Sequence, residues 1–213
     1  MIQILITDDH PVVRQGLKQV ISETSDITVA GEAGTGQEAL DMIRTNEYDL
    51  VLLDISLPGV SGLDILKQIT AEKPKLPVLI LSIHSEEQYA VRALKTGASG
   101  YMTKASAPEE LIGAIRAISA GGKYITSSLS QRLVMYIQSP SDSKPPHENL
   151  SNREYEVLCL IAQGRPVSEI ARTLFLSPKT VSTYRTRILD KMGMKNNAEM
   201  MRYAIKNGLV DLI

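Results

Sequence analysis

The chain is almost devoid of cysteine: Cys159 is the only one in 213 residues. No disulfide can form within it, and a lone thiol in the apolar run 157–161 reads as a buried, inert side chain. No window approaches the roughly 18–20 continuous apolar residues that a membrane-spanning helix needs, so no membrane partner is expected. The opening residues, MIQILITDDH, contain no Lys or Arg and reach two aspartates by position 9. They read as a first strand and not as a secretory leader. Without a leader or a disulfide framework, the cytoplasm is the expected compartment. No internal repeat is present. What remains is an ordinary soluble composition, 43% apolar and 22% charged, of a length suited to one or two domains.

The formal net charge of −1 hides an asymmetry. Residues 1–138 hold 12 Lys and Arg against 16 Asp and Glu, whereas residues 148–213 hold 10 against 7. Within 178–195, Lys179, Arg185, Arg187, Lys191 and Lys195 face Asp190 alone. An acidic front and a basic end suggest different partners for the two parts; scattered solvated charge is the plain alternative.

The first 120 residues alternate short apolar runs with helical patterns. Strands are expected at 2–6, 27–31, 50–53, 78–81 and 100–102, and helices at 11–22, 36–46, 61–71, 87–96 and 108–120. Val13, Leu17, Val20 and Ile21 share one face of the first helix, and Leu111, Ile115 and Ile118 one face of the last. Five strands alternating with five helices predict a doubly wound α/β domain with a five-stranded parallel sheet. Gly121 and Gly122 close that rhythm. A short apolar segment at 129–137 suggests an extra helix, and SPSDSKPPHEN, which has no apolar face, reads as a linker. From Leu150 onward only helical patterns occur, at 152–163, 167–175, 178–192 and 197–207. Ser151-Asn152-Arg153-Glu154 is a capping-box pattern, and Ser177-Pro178 supplies an N-cap and a first-turn proline. The expected division is therefore 1–120, a linker at 121–148, and a small all-α domain at 149–213.

A parallel sheet carries the ends of its strands to one edge, where ligands of such folds bind. Asp8 and Asp9 follow the first strand, Asp54 ends the third, Ser82 ends the fourth and Lys104 follows the fifth. One strand-end aspartate is usually a loop or capping residue; five such groups together argue for a site. Three carboxylates facing one another repel unless a cation sits among them, and a hard ion such as Mg²⁺ suits one or two carboxylates plus a phosphoryl oxygen. A lysine beside them would offset charge on a transferring phosphoryl group, leaving one carboxylate as nucleophile. An aspartyl-phosphate hydrolase would need a second carboxylate two residues after its nucleophile, where Ser56 stands.

The stretches ILITDDHPVVRQGL, VLLDISLPGVSGLD, LILS and GYMTKASAPEEL closely resemble the receiver domain of bacterial two-component response regulators, a flavodoxin-like fold, over residues 1–120. The resemblance implies that Asp54 is the phosphoacceptor. It also implies that Asp8, Asp9, Asp54 and the main-chain carbonyl of Ser56 bind Mg²⁺, and that Lys104 pairs with the phosphoryl group. Ser82 would be the hydroxyl that swings toward the new phosphate, and Tyr101 the aromatic that turns inward with it. Ala105 stands where the family commonly has proline, which leaves open the cis bond usual there. His84 invites comparison with a phosphohistidine donor, but an exposed loop histidine is the plainer reading, with an effect on dephosphorylation rate as the functional one.

In the helix 178–192, Val181, Tyr184, Ile188 and Met192 fall within about 80° of one another at the 3.6-residue period and form the buried stripe. Lys179, Thr183, Thr186, Arg187 and Asp190 face away. A helix, the turn Leu176-Ser177 and this basic helix fit a helix-turn-helix, although a solvated amphipathic helix would show the same stripe. The stretches LSNREYEVLCLIAQG, SEIARTLFLSPKTVSTYRTRILDKMG and YAIKNGL closely resemble the LuxR-type helix-turn-helix domain of NarL/FixJ-type regulators. The resemblance implies that Ser182, Thr183 and Thr186 reach bases of double-stranded DNA, while Lys179, Thr180, Arg187 and Lys191 meet phosphates. Arg185 lies at the edge of the stripe, placed for a phosphate or for Glu169. Pro166-Val167 replaces the Ser-Asn that usually caps the second helix, although a proline at N1 can still start it. Ser182 replaces a common lysine. The last helix would provide a dimer contact on DNA through Met200, Met201, Tyr203 and Ile205.

The expectation is a DNA-binding transcription regulator that a sensor histidine kinase phosphorylates on Asp54 with Mg²⁺, and that forms a homodimer when phosphorylated or on DNA. The receiver would catalyse its own phosphorylation and dephosphorylation, without being an enzyme in the usual sense. A receiver-driven RNA-binding antiterminator and a constitutive DNA-binding protein are the rivals. The kinase, the signal, the promoters and the sign of regulation are not written in the sequence.

Overall fold

A computed structural model describes residues 1–83, 86–138 and 145–210 of the chain. His84 and the heart of the expected linker, 139–144, lie outside the described residues. Two compact units emerge, Met1–Gln131 and Arg132–Ile213.

The first unit alternates β1 (Ile2–Thr7), α1 (Pro11–Ser22), β2 (Ile27–Ala33), α2 (Gly36–Thr45), β3 (Leu50–Asp54), α3 (Gly62–Glu72), β4 (Val78–Ser82), α4 (Glu86–Thr96), β5 (Gly100–Thr103) and α5 (Pro108–Ser119). All strand pairs are parallel, in the order β2-β1-β3-β4-β5. β3 and β4 are buried along their whole length, as apolar runs are when helices cover both faces of a sheet. Ile4, Ile6, Leu50, Leu52, Leu79 and Leu81 meet Ile21 of α1 and Leu111, Ile115 and Ile118 of α5. Strand alternation sends Leu5, Val51, Leu53 and Ile80 to the opposite face, where α2, α3 and α4 bury Leu40, Ile43, Leu66, Ile69 and Ala93.

Beyond α5 the chain returns to the edge strand. Tyr124 forms a parallel bridge with Gly100, its N–H donates to the Ser99 carbonyl at 2.9 Å, and Lys123 Nζ donates to the Ala98 carbonyl at 2.9 Å. A side chain at Gly100 would meet the Tyr124 carbonyl at 2.9 Å, so a glycine is what permits this close approach. These residues fall in the segment expected as linker, yet they complete the sheet edge. The helix expected at 129–137 is α6 (Ser127–Gln138).

The second unit holds a 3₁₀ turn (Pro146–Asn149), α7 (Asn152–Ala162), α8 (Val167–Thr173), α9 (Pro178–Met192) and α10 (Asn197–Lys206). The capping box is present: Ser151 Oγ accepts from the Glu154 N–H at 3.3 Å, and Glu154 Oε2 accepts from the Ser151 N–H at 2.8 Å. Ser177 caps α9, with Pro178 in the first turn.

Three expectations need correction. Pro166 is the N-cap of α8 and not its first helical residue: its backbone is extended (ψ 153°), and its carbonyl accepts from the Ile170 N–H at 3.0 Å. α8 stops at Thr173, short of 175, because Phe175 turns left-handed (φ 54°). The Leu176 N–H then reaches back to the Ala171 carbonyl at 2.8 Å and that of Phe175 to the Arg172 carbonyl at 3.3 Å, a Schellman closure usually built on glycine. Met200, expected at an exposed dimer surface, is fully buried, since α10 lays that face on α7.

Candidate functional site

The strand order reverses between β1 and β3, and the acidic residues gather at that crevice. Thr7 of β1 pairs with Leu53 of β3, so Asp8 and Asp54 emerge side by side. Asp54 pairs with Leu81 and Ser82 with Thr103, which brings the ends of β4 and β5 to the same edge. The Lys104 N–H donates to the Ser82 carbonyl at 2.7 Å and locks the start of the lysine loop to β4.

Asp8 and Asp54 are almost wholly buried, and Lys104 Nζ closes on both: 2.5 Å from Asp8 Oδ2 and 2.7 Å from Asp54 Oδ2. Asp54 Oδ1 also accepts from the Ser56 main-chain N–H at 3.1 Å. Burial pushes the Asp54 carboxyl above its ordinary range, and Asp8 adds to this, while Lys104 opposes it. Burial pulls the Lys104 ammonium down, but Asp54 and Asp8 together outweigh it and hold its pKa above the ordinary value. Ser82 and Tyr101 are fully buried, so the aromatic ring already points inward. Every peptide bond among the described residues is trans, including that after Lys104.

Ligand atoms of Asp8, Asp9, His10 and Asp54 lie within 4.8 Å of one another. Asp9 Oδ1 is buried without a hydrogen bond, although His10 Nδ1 is 2.7 Å away. An orphaned carboxylate oxygen among further carboxylates is the donor set a hard divalent cation takes, so these residues fit Mg²⁺. Sequence reasoning missed two neighbours of the site. His10 lies beside both aspartates, and Arg14 Nη1 donates to the Asp8 carbonyl at 2.7 Å, pinning the loop from α1. The signal was their adjacency: Arg14 stands one helical turn beyond His10.

In the second unit, Val181, Ile188 and Met192 of α9 are buried and Tyr184 half-buried, as the stripe predicts. Ser182, Thr183, Thr186, Lys179 and Arg187 are exposed, and among the described residues no partner engages the Lys179 ammonium or the Arg187 guanidinium. Two other cations are already committed. Lys191 Nζ pairs with Glu154 Oε2 at 2.6 Å, which turns it toward the α7 cap. Arg185 Nε donates to Asn197 Oδ1 at 2.6 Å and not to Glu169, which pairs with Arg165 instead. Thr180 is tied to the cap, its Oγ1 2.8 Å from Ser177 Oγ.

Residues 4–116 match the response regulator receiver domain family, and residues 148–204 match bacterial regulatory proteins of the luxR family. The chain is a response regulator. It is 36% identical over 209 residues to response regulator UvrY of Escherichia coli (strain K12), covering 98% of this chain and 96% of that one. It is 35% identical over 211 residues to response regulator GacA of Pseudomonas aeruginosa, covering 99% of each. Among solved structures, RcsB from Salmonella enterica serovar Typhimurium, bound to promoter rprA with the phosphomimetic BeF3⁻, is 27% identical. That likeness covers 95% of this chain and 98% of RcsB, with a TM-score of 0.62. This response regulator thus joins a receiver to a LuxR-type DNA-binding domain. No helix among its described residues is long and apolar enough to cross a membrane.

Proposed function

We propose that this response regulator is a transcription regulator whose binding to double-stranded DNA is switched by phosphorylation of Asp54. The observation that carries the proposal is the buried Asp54, paired with Lys104 and flanked by Asp8 at the switch point of the sheet. A carboxylate oxygen of Asp54 attacks the phosphorus of a phosphohistidine on a sensor kinase. The P–N bond breaks and its electron pair leaves with the imidazole. Lys104 offsets charge on the phosphoryl oxygens. Asp8, Asp9, Asp54 and the Ser56 carbonyl would hold Mg²⁺, which would supply further neutralisation of that charge. Ser82 and Tyr101 answer the new phosphate, and the change passes from residues 1–120 through 121–148 to 149–213.

There, α9 enters the major groove, in keeping with RcsB bound to a promoter. Ser182, Thr183 and Thr186 face bases, and Lys179 and Arg187 face phosphates. Thr180, Arg185 and Lys191 serve mainly to orient the helix, given their partners within the unit. The chain works in the cytoplasm as a homodimer on paired half-sites and turns over no separate substrate.

The test is labelling with acetyl phosphate and Mg²⁺ alongside promoter binding by the full chain. Asp54→Asn should take up no acid-labile phosphate, and its DNA affinity should not respond to the phosphodonor. Undiminished labelling of the variant would place the phosphoacceptor elsewhere.

A further inference from the structure

The outward surface of α9 carries three hydroxyls and no side-chain amide. Each hydroxyl makes the same bond. Ser182 Oγ donates to the Pro178 carbonyl at 2.9 Å, Thr183 Oγ1 to the Lys179 carbonyl at 3.0 Å, and Thr186 Oγ1 to the Ser182 carbonyl at 3.2 Å. All three are exposed, and all three bonds run four residues back along the helix. A hydroxyl has one proton and two lone pairs. With the proton held by the helix, what it turns to a groove is an acceptor.

In the major groove every base pair offers one amino donor, so this polarity decides which of its two bases a given hydroxyl can face. Adenine N6 and cytosine N4 are donors, whereas guanine presents N7 and O6, both acceptors. A hydroxyl can read guanine only by releasing its backbone carbonyl. It can accept from an adenine or cytosine amino group with no rearrangement.

We propose that Ser182, Thr183 and Thr186 form an acceptor-only reading surface, selective for half-sites that present adenine or cytosine amino groups opposite them. Lys179 and Arg187, the two unengaged cations, face phosphates and add no reading of their own. Arg185 and Lys191 are held by Asn197 and Glu154. The inference rests on the DNA-reading role of α9 proposed above and adds the chemical class of base that it reads.

The test uses the phosphorylated full chain and a duplex selected by it from a random pool. At each half-site position, adenine is replaced by purine, cytosine by pyrimidin-2-one, or guanine by 7-deazaguanine. Affinities are measured for the native chain and for Ser182→Ala, Thr183→Val and Thr186→Val. The variant-by-base cycle cancels the weakened base pairing that each analogue causes on its own. Removing an amino group opposite a hydroxyl should cost the native chain about fivefold to tenfold, and the matching variant about nothing more. Thr183→Ser, which keeps the oxygen, should retain the coupling.

Coupling of any of these hydroxyls to 7-deazaguanine would overturn the inference, because the hydroxyl would then be donating. Tight binding of the native chain with no coupling to any base group would overturn it as well. Failure of the phosphorylated chain to enrich any duplex would remove the DNA-reading role itself, a result distinct from either.

Discussion

Lys104 Nζ lies 2.7 Å from Asp54 Oδ2, a contact between residues 50 positions apart in the chain. Because the same ammonium also closes on Asp8, one cation is shared by two buried carboxylates at the ends of different strands. Its position is that of a counter-ion built into the fold, on which the stability of these two buried carboxylates depends.

Lys104→Met should therefore destabilise the first unit by about 3 kcal/mol in metal-free buffer, since two buried carboxylates lose their partner. Millimolar Mg²⁺ should recover more stability in the variant than in the native chain, because the ion and the lysine neutralise the same charges. Thermal melts of the full chain with EDTA and with Mg²⁺ measure both. An equal Mg²⁺ response in the two proteins would mean that Lys104 and the ion act on separate groups.

Gly62 sets the position of the Asp54 main chain. A Cβ there would lie 2.1 Å from the Asp54 carbonyl oxygen and 2.7 Å from Ile55 Cα, and backbone cannot swing aside as a side chain can. Gly62→Ala is expected to cost about 3 kcal/mol, the upper end of ordinary overpacking, and to slow phosphorylation by displacing Asp54. Urea denaturation and acetyl phosphate labelling report the two effects. Native-like stability would show that the β3–α3 loop yields freely.

Phe175 holds a left-handed backbone (φ 54°) while 63% of its surface is exposed. That conformation costs an ordinary L-residue about 1–2 kcal/mol, and asparagine tolerates it better. Phe175→Asn should raise the stability of the second unit by about 0.5–1 kcal/mol, read as a higher denaturation midpoint. A fall instead would mean that the ring packs more strongly than its exposure suggests.

Glu154 gives the second unit a pH dependence. Burial pushes its carboxyl up, but Lys191 and the Ser151 N–H outweigh this and hold it below the ordinary range. A lowered folded-state pKa contributes stability that is present above the unfolded value, about 4.3, and lost as pH falls through the folded value. Lys191 is 43% exposed, so solvent screening limits the effect to about 1 kcal/mol. At pH 7, Glu154→Gln should lower the stability of the full chain by that amount, and the difference should shrink below about pH 4. A difference constant from pH 7 to pH 3 would remove the carboxylate as its source.

Local patterns carried far in the sequence. The capping box at 151–154, the Ser177 cap and the buried faces of Val181, Ile188 and Met192 depend on neighbours within one or two helical turns, so the order of residues is enough to read them. The parallel sheet followed from the alternation of apolar runs with helical ones, and with it the gathering of Asp8, Asp54, Ser82 and Lys104 at one edge. The end of α8 was not legible, because a left-handed turn is normally announced by glycine and here falls on Phe175.

Periodicity names the face of a helix that is buried or exposed, and no more than that. The family resemblance put Met200 on an exposed dimer surface, and packing of α10 on α7 put it inside. Periodicity marked Lys191 and Arg185 as cations of α9; only the fold shows that Glu154, 37 positions earlier, and Asn197 hold them. By itself the sequence determined which elements form and which chemistry meets at the sheet edge, since both arise from short-range pattern and strand polarity. Tertiary structure alone decided which charges remain free, because an ion pair forms between whichever groups the packed chain brings within reach.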